Sequence, residues 1–141
     1  MRGATVNEVV WKVAEISGPD GDVIARFRSD SYSVLGNPMY GTAFWVGIDS
    51  PPMGELEDLL KHLDSVEDRV AQIVESEHGG RLLVTMTGAG YRDLVFAVSG
   101  SADALHREVR EYSDSTGLQL SLQVHVGQKF GPYASLVGAT V

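Results

Sequence analysis

No cysteine occurs among the 141 residues, which excludes disulfides and thiolate metal centres. No apolar run approaches the ~18 residues that a membrane-spanning helix needs. The opening MRGATVNEVVWKVAE has one early arginine but no unbroken apolar stretch, so a secretory leader is not expected. Basic residues are scarce: 11 Lys and Arg stand against 19 Asp and Glu, a net charge of −8. Nonspecific nucleic-acid binding draws its affinity from neutralising phosphates, and this balance argues against it. The expectation is a cytoplasmic protein that engages neither nucleic acid nor membrane.

What is present is an ordinary globular balance, 43% hydrophobic and 21% charged, over a length that suits one domain, 1–141. VVWKVAEIS (9–17) and DVIARFRSD (22–30) flank the turn signal GPDG at 18–21. They predict an N-terminal hairpin, 9–30, with Trp11, Val13, Val23, Ala25 and Phe27 on a greasy face and Lys12, Arg26 and Arg28 on a basic one. A loop over 31–40 leads to a third strand at 41–49. After a proline break, Leu56, Leu59, Leu60, Leu63, Val66, Val70, Ile73 and Val74 recur at helical spacing up to His78-Gly79-Gly80.

Two strands, 81–87 and 91–99, come next, followed by a helix over 101–112 with Ser101 as N-cap. The segment SDSTG is expected to break that helix. Strand 118–126 alternates cleanly, and a tail occupies 127–141. Beyond the hairpin the order strand, helix, strand, strand, helix, strand predicts an α+β fold. It is the ferredoxin-like split βαβ pattern over 41–126, with an antiparallel sheet and both helices on one face. Strands 41–49 and 91–99 fall at its centre, and strands 81–87 and 118–126 at its edges.

The glycines of TGAGYRD invite a phosphate-loop reading. A phosphate loop joins a strand to a helix N-terminus, whereas Gly88 and Gly90 join two strands. A tight turn needing positive φ explains them better. Arg92 and Asp93 then point to opposite sheet faces and cannot act together on one substrate. The four histidines, His62, His78, His106 and His125, lack ligand spacing, and no nucleophile elbow occurs. No catalytic residue, metal or cofactor is therefore expected.

Two surfaces are candidates for binding. From Gly54 to His78, eight acids (Glu55, Glu57, Asp58, Asp64, Glu67, Asp68, Glu75, Glu77) face only Lys61 and Arg69. A solvated outer helix face is one reading; the other is a docking surface for a basic partner through Glu57, Asp58, Asp64 and Asp68. On strand 41–49, Phe44, Val46 and Ile48 face the helices, which puts Trp45 on the opposite face with Val95 and Ala97. Either the hairpin covers Trp45 with Trp11, Val13 and Phe27, or Trp45 and Val95 mark an interface with a partner or a second copy.

The order W-K-V-A-E, GDVIARFRS, LEDLLKHLDSVEDRV and VTMTGAGYRDLVFAVS, over roughly residues 9–100, resembles the bacterial domain-of-unknown-function family 695. Some members of that family are joined to a domain similar to the protein inhibitors of ribonuclease E. The resemblance implies a small α/β fold that acts by binding protein, and it carries no catalytic residues over. The tail departs from it, with KFGPY where an acid, a tryptophan and a tyrosine are usual. The functional expectation is a non-catalytic binding or regulatory domain of inhibitor or immunity type, acting on a protein partner. The alternative is a small-molecule-binding or enzymatic dimeric barrel with a pocket at the open sheet face.

Overall fold

Period-two alternation puts successive side chains on opposite sides of a strand, and six eight-residue strands use it here: β1 (Trp11–Gly18), β2 (Gly21–Arg28), β3 (Thr42–Asp49), β4 (Arg81–Gly88), β5 (Tyr91–Val98) and β6 (Gln119–Val126). The computed structural model describes residues 11–18, 21–30, 34–49, 55–127, 130, 131, 133, 134 and 136. The proline break at 51–54, parts of the 18–21 turn and the 31–40 loop, and much of the 127–141 tail lie outside them. The protein is α+β: the strands form one antiparallel sheet, ordered β1-β2-β4-β5-β3-β6, and two helices of more than ten residues lie among the described residues. The first helix, α1 (Leu56–Ala71), continues into a wider π-helical turn at Gln72–Glu77; the second is α2 (Asp103–Thr116).

Several expectations are corrected. Strand 81–87 is not an edge, because β2 pairs along β4 from Ile24↔Thr87 to Phe27↔Val84. The first two strands extend the sheet, which satisfies backbone groups that β4 would otherwise leave open. Among the described residues the edges are β1 and β6.

The division of β1 and β2 into one greasy and one basic face also fails. Gly18 stands opposite Gly21, so an even-membered connection sets odd-numbered residues of β1 beside even-numbered residues of β2. Trp11 therefore pairs with Arg28 and Val13 with Arg26, while Ala25 and Phe27 share the other face with Lys12 and Ala14. Shifting the pairing by one residue exchanges every side chain between faces.

Helix α2 runs four residues past Tyr112. The hydroxyls of Ser115 and Thr116 donate back to the Tyr112 carbonyl at 3.0 and 2.8 Å, and Gly117, at φ 72°, ends the helix. Residues read as breakers thus act as C-terminal caps. At the other end Ser101 lies one position before the N-cap, Ala102, and its Oγ accepts from the Asp103 amide at 3.2 Å.

The sheet separates two cores, as the alternation of β3 and β5 predicts. Phe44, Val46, Ile48, Leu94, Phe96 and Val98 pack against Leu63, Val66, Val70 and Val74 of the first helix and its extension, and Leu105 and Val109 of α2. On the opposite face Ala25, Phe27, Ala43, Val84, Val95 and Ala97 are covered by Val34 and Tyr40 and by Phe130 and Tyr133. That cover comes from the loop and the tail, so the expectation that Trp11, Val13 and Phe27 cover Trp45 is corrected too. A bulge at Leu83 turns Leu83 and Val84 to the same side.

The turn between β4 and β5 uses its glycines differently. Gly90 has φ +80°, whereas Gly88 does not have positive φ. Gly88 is needed for space, because a Cβ there would lie 2.3 Å from the Tyr91 ring.

Candidate functional site

Among the described residues, the face that carries Trp45 is covered over part of its area by Val34, Tyr40, Phe130 and Tyr133. Beyond Phe130 and Tyr133 the sheet opens into a cleft of about 260 Å³, lined by Trp45, Gly47, Asp93, Ser121 and Gln123, with Val46 and Leu94 contributing to its wall. Strand register assembles it: Gly47 stands opposite Asp93 on β5 and Ser121 on β6, and Trp45 opposite Val95 and Gln123. Gly47 makes the floor. A Cβ at that position would sit 3.3 Å from Asp93 Oδ1 and 3.4 Å from Ser121 Cβ, so a side chain there would fill the space.

Trp45 forms one wall. Its ring meets His125 edge to face, with centroids 5.5 Å apart, and His125 Nε2 lies 3.1 Å from Gln123 Oε1. A Cβ on Gly131 would lie 3.6 Å from the far edge of the indole, so the tail abuts it there. Val95, expected to join Trp45 at an interface, is fully buried in the second core with Phe130 and Tyr133.

Asp93 is half-buried and has no hydrogen-bond donor or basic partner among the described residues. Burial, and secondarily the Asp49 carboxylate, push its carboxyl above the usual aspartate range. A folded-state pKa above the unfolded one favours folding below the unfolded pKa, and that contribution is lost as pH rises through the folded value. Asp93→Asn is therefore expected to stabilise the protein at pH 7, by up to ~1 kcal/mol after allowing for solvent screening. Thermal melts should show the gain shrinking to nothing as the pH falls below that of Asp93 titration. A loss of stability at pH 7 would mean that the carboxylate has a stabilising partner.

The acidic helix divides into buried and exposed members. Glu67 is buried between Arg26, at 2.6 Å, and Arg92, at 2.9 Å. Arg92 also donates to Asp64 at 2.7 Å and to the Thr87 hydroxyl at 2.8 Å. Glu75 accepts from the Leu82 amide at 3.2 Å, and Glu57 lies 3.3 Å from Lys61. Asp58 and Asp68 are exposed. Of the four acids read as a docking surface, Asp64 is thus tied to the sheet through Arg92, although its side chain is still 65% exposed.

Sequence reasoning missed a third surface. On the helix side of β1 and β2, Val13 is 70% and Ile24 45% exposed, and Trp11 lies 5.2 Å from the Arg26 guanidinium. Leu56 and Leu60 of α1, assigned to the core by periodicity, are 68% and 38% exposed. The signal was available in the even-membered β1–β2 connection.

Among the described residues no helix is long and apolar enough to cross a membrane. No group of three or more His, Asp or Glu among them is placed to hold a metal ion. Neither a protein-family model nor a curated protein matches the chain.

Proposed function

We propose that the chain is a non-catalytic protein-binding module that receives an extended segment of another protein along the outer edge of β1. The observation that carries this reading is that edge itself: eight residues paired, among the described residues, on one side only, with Trp11, Val13 and Ile16 exposed. Natural sheets guard such edges with proline, bulges or several charges. β1 has no proline, and Lys12 and Glu15 are its only charges. Main-chain pairing would supply affinity, and the alternating side chains would supply selectivity.

Charge selects the kind of partner. A second copy would bring another −8 to the contact; on the Val13–Ile24 face Arg26 is paired with Glu67 and Arg28 with Asp30, so Glu15 and Asp22 are left to favour a segment in which apolar residues alternate with lysine or arginine. Exposed Asp58 and Asp68, with Asp64, extend the negative field and raise the association rate. A regulator of inhibitor type, acting by occupying its target, fits this arrangement. The order β4-β5-β3-β6, with residues of both helices in one core, supports reading β3 to β6 as a ferredoxin-like split βαβ unit to which β1 and β2 are added.

A peptide of alternating valine and lysine is the simplest probe. Titrated against the labelled protein, it should shift the β1 amide resonances, bind less tightly as salt rises, and lose at least tenfold in affinity with Val13→Lys. Val126→Lys, on the opposite edge, should leave binding unchanged. Both positions are exposed, at 70% and 81%, so the fold should tolerate either change. Absence of binding, or binding indifferent to Val13→Lys, refutes the edge as the site.

A further inference from the structure

The cleft on the other sheet face has chemistry that strand addition at β1 does not use. We propose that it binds a small organic cation, seating an ammonium group on Asp93 and an apolar body against Trp45.

Four features converge on that class of ligand. Asp93 supplies a carboxylate with no donor or cation among the described residues to compensate it, and a half-buried acceptor of this kind gains most from a charged donor. Asp49 adds a second negative charge close enough to act on Asp93, while no lysine or arginine among the described residues lines the cleft. Anions are disfavoured there for the same reason. The indole of Trp45 is held by the edge-to-face contact with His125, and an indole face attracts cations through its quadrupole. Finally, Gly47 leaves the volume open, and the rim carries Ser121 and Gln123, which can meet polar substituents.

Size narrows the class further. The cleft, at about 260 Å³, lies just under the range of ~300–1,000 Å³ usual for drug-sized ligands. It suits a compact amine with a single ring or a short branched chain. The bound ligand would also offset the unfavourable isolation of Asp93, so a group that weakens the fold at neutral pH is the one that recognises the ligand.

Trp11→Phe leaves Trp45 as the sole tryptophan and makes its fluorescence a direct reporter. Benzylammonium chloride should perturb that emission saturably at constant ionic strength. Benzyl alcohol, of the same shape without charge, should bind at least tenfold more weakly, and benzoate should not bind. Asp93→Asn should reduce benzylammonium affinity at least tenfold, and Gly47→Val should abolish it, with circular dichroism checking that each variant folds. Val13→Lys, which tests the β1 edge, should leave the titration unchanged, so the two readings fail separately. Equal binding of benzyl alcohol, wild-type affinity in Asp93→Asn, or no saturable response from the Trp11→Phe protein overturns the proposal.

Discussion

Replacing Glu67 by alanine will destabilise the protein by about 3 kcal/mol, because it strands the Arg92 guanidinium beneath α1. Breaking a buried ion pair by removing one partner commonly costs ~3–5 kcal/mol, most of it from the charge left behind. Both side chains here are only 9% exposed. The lower end of that range applies, since Asp64 and Thr87 still accept from Arg92 at 2.7 and 2.8 Å. Arg26 suffers less: its side chain is 44% exposed and can turn to water.

Two comparisons make the effect specific. The double replacement Glu67→Leu with Arg92→Met removes both charges and should recover much of the loss, as apolar substitutes for buried pairs often do. Asp68→Lys, on an exposed position one residue along the same helix, should change stability by less than ~0.5 kcal/mol. Urea denaturation of the four proteins tests this. Similar losses from Glu67→Ala and Asp68→Lys would show that the Glu67 pair contributes nothing beyond surface charge.

That contrast shows what could be read from the sequence and what could not. Eight acids in one helical segment look equivalent as letters. Only the fold reveals that Glu67 meets Arg26, forty-one residues away, and Arg92, twenty-five residues away. Long-range pairs of this kind leave no local periodicity. By contrast, the division of β3 and β5 between two cores was legible, because strand alternation is local and obligatory. It placed Phe44, Val46 and Ile48 toward the helices, Trp45 away from them, and Arg92 and Asp93 on opposite faces. The cleft needed one further fact, the register that brings Gly47, Asp93 and Ser121 into one row. The faces of β1 and β2 were misassigned because their register depends on whether the connection has an odd or even number of residues. The cover over Trp45 was missed because Phe130 and Tyr133 sit in a stretch with neither helical nor strand periodicity.

Phe130→Ala will test that cover, with an expected loss of about 3–5 kcal/mol. Phe130 is 1% exposed and Tyr133 is fully buried, both in the core formed with Ala25, Phe27, Ala43, Leu83, Val84, Val95 and Ala97. Removing a buried aromatic ring loses its transfer free energy and leaves a cavity that the rigid sheet beneath cannot collapse to fill. That burial also pushes the Tyr133 phenol up to about 12, with Asp30 adding to the rise and Arg28 opposing it. For a chain of this size the expected loss lowers the melting temperature by on the order of 10 °C. The tail also abuts the indole through Gly131. In a Trp11→Phe background, Phe130→Ala should therefore shift Trp45 emission to longer wavelength below the melting transition, where the sheet is still folded. A stability change under ~1 kcal/mol with unshifted emission would mean that Phe130 covers neither the second core nor the wall of the cleft. Loss of stability without the spectral shift would confine its role to the second core.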